Sequence, residues 1–333
     1  MMRCRFLLCC LLIFSLTVGC TGFMKKGASE KETSGKSAVA NHPLTGEPLE
    51  QTDPGPVFMV MVNNHPDARP QTGLDQADMV VEALTEGEIT RFAAFYYGHQ
   101  QGIVGPVRSI RPYYLDLREG PQAVVGHAGG SPQALKRMDE QNIPSLDGIH
   151  EAGAYFQRKD FRKPPHNLYT DLSQLRQGVI QEGIDAKKRV NSPYVFDSET
   201  PKSGEKLAFH IRIAYHRLYE VGYQYNQANG SYIRYTQGEK QLDGKTKHPL
   251  SMKNVLVIRT SHRVIDSSGR REIDLTGSGK GMLFRDGKAI SIQWENRNGW
   301  IVPVRDGEIA PFHPGKTWIH VIPENGNLAY GKG

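Results

Sequence analysis

Two arginines three positions apart, Arg108 and Arg111, stand in the segment Gly105 to Asp116, GPVRSIRPYYLD. Guanidinium groups at that spacing, around Ser109 and Ile110, can converge on a phosphate or carboxylate and donate forked hydrogen bonds to it. Arg91, upstream in a strand-like run, adds a third cation. A second anion-type element follows. Gly129-Gly130-Ser131-Pro132 presents backbone N–H groups ahead of a helix N-terminus, where negative charge is favoured. The competing arrangement is internal: the same arginines pair with Glu82, Glu86, Glu88 or Asp116 and order the loops.

Other residue types offer less. His127, at the end of an apolar stretch, and His166, in Pro164 to Tyr169 (PPHNLY), are acid/base candidates or structural histidines. Glu82, Glu86 and Glu88 could include a carboxyl of raised pKa, the general acid of glycan cleavage, or could form a solvated turn. Asp75 and Asp78 with Glu82 have ligand types for a divalent ion, without a spacing that demands one. No HExxH or HxxxH pair exists, which argues against zinc, and no GxSxG elbow is present. Gly277 to Gly281 (GSGKG) resembles a phosphate loop only superficially. Asp274 stands where the first glycine belongs, and Gly281 replaces the Ser or Thr. The segment reads instead as a tight, flexible connection between strands.

These residues need a frame. Val57 to Val62 is a short apolar run, Met79 to Leu84 and Arg91 to Tyr97 read as two further strands, and Ala123 to Val125 leads into the Gly-Gly turn. Helices are predicted from Pro112, from Pro132 with Ser131 as its cap, and over Asp171 to Gly183. The last has Thr170 as its cap and Leu172, Leu175, Val179 and Ile180 on one face. Strands alternating with helices predict a layered α/β domain over residues 41–190, with both anion elements at the carboxyl ends of strands. Residues 191–206 are polar and Pro/Ser-bearing, a linker. From Leu207 the pattern has period two, and Asp286-Gly287 and Asp306-Gly307 are hairpin turns. Residues 207–333 are therefore expected to be mostly β.

The chain has 333 residues, and its four cysteines all fall within the first twenty: Cys4, Cys9, Cys10 and Cys20. The body therefore has no disulfide framework, thiol nucleophile or cysteine metal site. Arg3 and Arg5 precede the apolar run Phe6 to Val18, the layout of a secretory signal over residues 1–19. The run is too short for the roughly 20 residues of a membrane-spanning helix. Gly19-Cys20 resembles a bacterial lipobox, with Thr17 standing where Leu is usual, and implies lipidation of Cys20. Residues 20–40 are rich in Gly, Ser, Lys and Glu and read as a flexible tether. Removing residues 1–19 takes Arg3 and Arg5 away and lowers the net charge from +6 to +4. No basic block or aromatic-rich basic motif points to nucleic acid.

Taken together, PLTGEPL (43–49), NNHPDARPQTGLDQADMVVEAL (63–84), GEITRF (87–92), GPVRSIRP (105–112), HAGGSP (127–132) and PHNLY (165–169) resemble the YerB family of bacterial lipoproteins. The likeness continues through KNV (253–255), GSGKG and PGKTWI (314–319). It implies a two-domain protein anchored to the outer face of the cytoplasmic membrane, with no catalytic residues to carry over. A partial second likeness, confined to the first domain, is to the LytR–CpsA–Psr phosphotransferases, which hold a polyprenyl pyrophosphate through arginines. It implies that Arg91, Arg108 and Arg111 neutralise the pyrophosphate, and that Asp78 or Asp116 helps to hold Mg²⁺. Pro112 replaces that family's Asp after the second arginine.

The expectation is thus an envelope lipoprotein whose first domain binds an anionic or glycan-type ligand, such as a cell-wall glycopolymer or polyprenyl phosphate. The site would comprise Arg91, Arg108, Ser109, Arg111, Gly129, Gly130 and Ser131. If the protein is an enzyme, phosphotransfer leads and glycan cleavage follows, with Glu82, Glu86, His127 and Asp116 as catalytic candidates. A non-catalytic binding or assembly role is the alternative.

Overall fold

The computed structural model describes residues 40–150, 153–187, 189–201 and 205–333. The expected signal peptide, Cys20 and nearly all of the expected tether lie outside these residues. Among the described residues no helix is long and apolar enough to cross a membrane.

Fourteen strands and three helices carry the argument. In chain order they are β1 (Phe58–Asn63), β2 (Met79–Leu84), β3 (Thr90–Tyr96), α1 (Pro112–Glu119), β4 (Val124–His127), α2 (Pro132–Glu140), β5 (Ser145–Asp147) and α3 (Leu172–Gln181). After the linker come β6 (His210–His216), β7 (Tyr219–Asn226), β8 (Ser231–Thr236), β9 (Asn254–Thr260), β10 (Ser278–Arg285), β11 (Lys288–Arg297), β12 (Trp300–Arg305), β13 (Thr317–Pro323) and β14 (Asn327–Gly331). The first half is α/β and the second almost entirely β, as the sequence pattern predicts.

One twelve-stranded sheet draws on strands from both halves of the chain, and the 191–206 stretch expected as a linker packs Tyr194 and Phe196 against its core. Its order runs β12-β11-β10-β9-β13-β2-β3-β1-β4-β5, with the short strand Glu308–Ile309 beyond β12 and Lys206–Leu207 on β11. β13 lies parallel to β2 on one side and to β9 on the other. β1, β4 and β5 are mutually parallel, whereas β3 runs antiparallel between β1 and β2. The carboxyl ends of β1, β2, β4 and β5 therefore share one edge. The central strands β1, β2 and β3 are buried at every position, which is why they read as continuous apolar runs rather than alternating ones. A second sheet, β8-β7-β6-β14 with two short additions, packs its alternating inner face into the same core as Val60, Val80 and Trp318.

Three local expectations are corrected. GSGKG is not a flexible connection: Ser278 to Gly281 are the first residues of β10, paired with β11. A Cβ at Gly279 would come within 2.7 Å of Trp294 Nε1 and 2.8 Å of the Arg259 carbonyl. The glycines are there because neighbouring strands leave no room. α3 is capped by Asp171, whose carboxylate accepts from Ser173 N–H at 2.9 Å, and not by Thr170. Thr170 is the penultimate residue of a strand, Leu168–Asp171. The buried face of α3 is Leu172, Leu175 and Gly178 with Val179 partly buried beside them, while Ile180 is 79% exposed. Gly178 lets the helix approach Leu146 where a larger residue would hold it off.

Candidate functional site

β1 and β4 pair through Val60 and Gly126 and then part. The segment 105–111 enters the gap. Val107 bridges to Val62, the Arg108 N–H donates to the Met61 carbonyl at 2.8 Å, and the Ala128 N–H donates to the Arg108 carbonyl at 3.0 Å. Ile110 then takes Gly129 as its partner. Arg108 is thus held on both backbone sides at the point where two parallel strands diverge, the place where open α/β sheets bind ligands.

Three guanidinium groups gather there around one carboxylate. Glu86, in a turn just past β2, accepts from Arg111 through both oxygens, at 2.8 Å on Oε2. Arg91 Nη2 lies 4.0 Å from the same Oε2, and Arg91 Nη1 donates to the Ser109 carbonyl at 2.6 Å. Arg108 is half-buried, and among the described residues its guanidinium has no hydrogen bond or carboxylate partner; its Nε is buried and unpaired. Burial and the neighbouring Arg111 lower its pKa, although Glu86 opposes them. Arg91 is lowered to about 10 by burial and by Arg111. These groups remain protonated at neutral pH, and one carboxylate for three cations leaves net positive charge.

The sequence therefore brings Arg91, Arg108 and Arg111 together, with Ser109 contributing its carbonyl. The internal pairing with glutamate also occurs, through Glu86, but it satisfies Arg111 and leaves Arg108 over. The Gly-Gly turn behaves differently from expectation. Gly129 N–H donates to Asp147 Oδ1 at 2.8 Å, Ser131 N–H to the Ile110 carbonyl at 3.2 Å, and Ser131 Oγ caps α2 by accepting from Ala134 N–H. The Gly129 and Ser131 N–H groups are committed to holding the chain, so an anion contact through them is not available; Gly130 packs against Ile110 and Leu135.

His127 closes β4 and is 2% exposed. Because a carbonyl only accepts, its Nδ1–H donates to Gly129 O at 3.0 Å, with Asp147 3.8 Å away. Burial lowers its pKa, more than Asp147 raises it. The ring is neutral, and its buried Nε2 has no partner. Asp147, which holds the turn by accepting from the Gly129 and Ile149 N–H groups, escaped sequence reasoning because nothing near it in sequence marks a site; only the parallel pairing of β4 with β5 brings it there.

The carboxyl candidates separate. Glu82 is fully buried and accepts from Thr90, Tyr219, Arg234 and Trp318, so it is core and not site. Burial would raise its carboxyl, but Arg234 and His320 hold it below the usual range. Glu86 is lowered too, with the Arg111 bonds outweighing burial. Neither is the raised acid that glycan cleavage needs. Asp116 is raised by burial, but it pairs with Arg137 at 2.6 Å in the layer between α1 and α2. Asp78 lies at the opposite end of β2 from Glu86, bonded to Tyr97 N–H at 2.7 Å and to His99 at 3.1 Å. Six residues at about 3.3 Å each put it roughly 20 Å from the arginine end. Asp78 is therefore too far from the arginines to hold an ion beside them, and Asp116 is engaged by Arg137, so neither is placed as the Mg²⁺ ligand that the phosphotransferase likeness implies.

Beside the cluster, a groove of about 780 Å³ runs between α1 and the hairpin His262–Val264 and Arg271–Ile273. Tyr113, Asp116, Arg271 and Ile273 line it. Arg271 Nε donates to the Thr85 carbonyl at 3.0 Å, which places a cation from the second half of the chain next to Glu86.

Comparison with known proteins converges on one group. The family described as "Protein of unknown function (DUF3048) N-terminal domain" matches residues 44–185, and its C-terminal counterpart matches residues 211–319. The chain is 40% identical over 296 residues to the Bacillus subtilis protein named "Putative lipoprotein YerB", spanning 87% of this chain and 88% of that one. The crystal structure of YerB from Bacillus subtilis superposes with a TM-score of 0.80 at 38% identity, over 87% of this chain and 99% of that one. With both halves matched and the fold shared over 87% of its length, this chain belongs to the YerB family of lipoproteins, built from the two DUF3048 domains.

Proposed function

We propose that this protein is a lipoprotein of the cell envelope, anchored through Cys20 on the outer face of the cytoplasmic membrane, and that its carboxyl-edge arginine cluster binds an anionic envelope ligand. The observation that carries this reading is Arg108, a half-buried guanidinium with no partner among the described residues, beside two further arginines that share one glutamate. A half-buried guanidinium whose Nε has no partner is left with donors that an arriving anion can take. The groove lined by Tyr113 and Arg271 supplies room for a sugar attached to that anion. A phosphorylated glycan or glycopolymer, or a polyprenyl phosphate, has this chemistry.

The test is titration of the purified protein with inorganic pyrophosphate and with polyprenyl phosphate in detergent. Arg108→Gln is expected to weaken binding at least about tenfold, the effect of losing one charge-assisted contact. Equal affinity in parent and variant would refute the site.

A transfer activity finds no support at His127, because its unpartnered Nε2 is buried and closed to an attacking hydroxyl. Non-catalytic binding is the primary reading.

A further inference from the structure

A second group of side chains lies at the same edge of the sheet, outside the arginine cluster. His65 and Asp67 follow β1 in a single 3-10 turn, and His166 comes from the loop before the strand Leu168–Asp171. One donor atom from each of the three lies within 4.8 Å of the others. The two imidazoles stack with centroids 4.6 Å apart, and Asp67 Oδ2 is 3.5 Å from His65 Nδ1.

Both rings are set in the form that a metal requires. Asn63 Oδ1 accepts from His65 N–H at 3.0 Å, which fixes the amide so that its Nδ2–H donates to His166 Nδ1 at 2.8 Å. The Asp67 N–H donates to His65 Nδ1 at 3.2 Å. Each Nδ1 therefore faces a donor and presents its lone pair, the atom a metal would take.

We propose that His65, Asp67 and His166 form a transition-metal site. The donor set selects the ion. Two imidazoles and one carboxylate suit Zn²⁺, Co²⁺ or Ni²⁺, whereas Mg²⁺ and Ca²⁺ are held by oxygen donors. The metal would replace the Asn63 amide at His166 Nδ1 and the Asp67 N–H at His65 Nδ1, while Asn63 would go on holding the His65 backbone N–H. Three protein ligands leave a fourth tetrahedral position open to solvent or to an anion. The inference does not depend on the arginine cluster being a ligand site, because it rests on different side chains.

The experiment is titration of the full chain in detergent with Co²⁺ followed by Zn²⁺. Binding is read as the visible absorption of tetrahedral Co²⁺ and as heat of Zn²⁺ displacement. The parent is expected to take up one equivalent of each. His65→Ala/His166→Ala is expected to lose that equivalent, and Asp67→Asn to weaken it at least about tenfold. All three side chains are exposed or half-buried, so thermal melts of the metal-free proteins should coincide. Asp67→Asn alone, on an exposed turn, keeps the test decisive if the double variant misfolds. Equal Zn²⁺ uptake by parent and variants, or no tetrahedral Co²⁺ signal in the parent, would overturn the site.

Discussion

Glu86 is the residue on which the charge balance of the arginine cluster turns. It occupies Arg111 through both oxygens and stands 4.0 Å from Arg91, so an incoming anion competes with it. Glu86→Gln should therefore strengthen pyrophosphate binding, by about tenfold at low salt and less as salt rises, which calorimetry across ionic strengths can measure. Glu82 sits four residues earlier and has an entirely different role. Its carboxylate meets Arg234 at 2.7 Å with both side chains fully buried, and Arg234 lies 4.6 Å from the Trp318 ring centroid. Removing one partner leaves the other charged and dry, so Glu82→Ala should cost about 3–5 kcal/mol in urea unfolding. His320 extends the network. Tyr215 O–H donates to the Glu82 carbonyl, His320 Nδ1–H to Tyr215, and Tyr223 O–H to His320 Nε2. Burial and Arg234 lower its pKa to about 3 from an ordinary 6.5, despite Glu82. The unfolded chain thus takes up a proton below pH 6.5 that the fold refuses, and stability falls as pH drops from about 6.5 toward 3. Glu82, with its lowered carboxyl, adds a loss further into acid, as pH falls through its folded value. Thermal melts between pH 7 and 5 should show the decline, and His320→Gln should flatten part of it, with His127 and His262 supplying the rest. None of this network was legible in the sequence. Glu82 reads as one of several turn glutamates, and its partner Arg234 is 152 residues away.

At the scale of the element, legibility followed burial pattern and turn chemistry. β1, β2 and β3 stood out because a strand covered on both faces must be apolar throughout, and α2 because Ser131 and Pro132 mark its first turn. The β10–β11 hairpin was visible because Asp286 and Gly287 take the positive φ values, 54° and 72°, that its two-residue turn requires. What failed was glycine inside a strand. In GSGKG a glycine-rich run reads as loop, yet Gly279 and Gly281 are the positions where Trp294, Ile292 and the backbone of β9 press closest. Gly279→Ala should therefore destabilise the protein by roughly 1–3 kcal/mol, the usual range for overpacking, rather than stabilise it by removing a flexible residue. Urea denaturation decides the sign. Arg108, Arg111 and Arg91 were identified by type and spacing, but which of them is free could be known only once Glu86 and Ser109 had found their partners.

For the whole molecule, the division of the sequence into two family domains is overlaid by one sheet. β13, near the C-terminus, is the strand between β2 and β9, and it carries Trp318 and His320 into the core beneath Glu82. A chain ending before Thr317 should consequently lose more than its second domain. We expect residues 79–96 of such a truncation to be cut readily in limited proteolysis, whereas the complete chain protects them. The arrangement also sets an order of events. β2 acquires its second neighbour only from a strand made more than two hundred residues later. Until then the N-terminal half has been synthesised but exposes an open, apolar sheet edge, the kind of surface that pairs with other chains. Such long-range pairing folds slowly, so the interval is not brief. The newborn chain therefore carries an open edge that closes only when its last strands arrive, a hazard written into its topology.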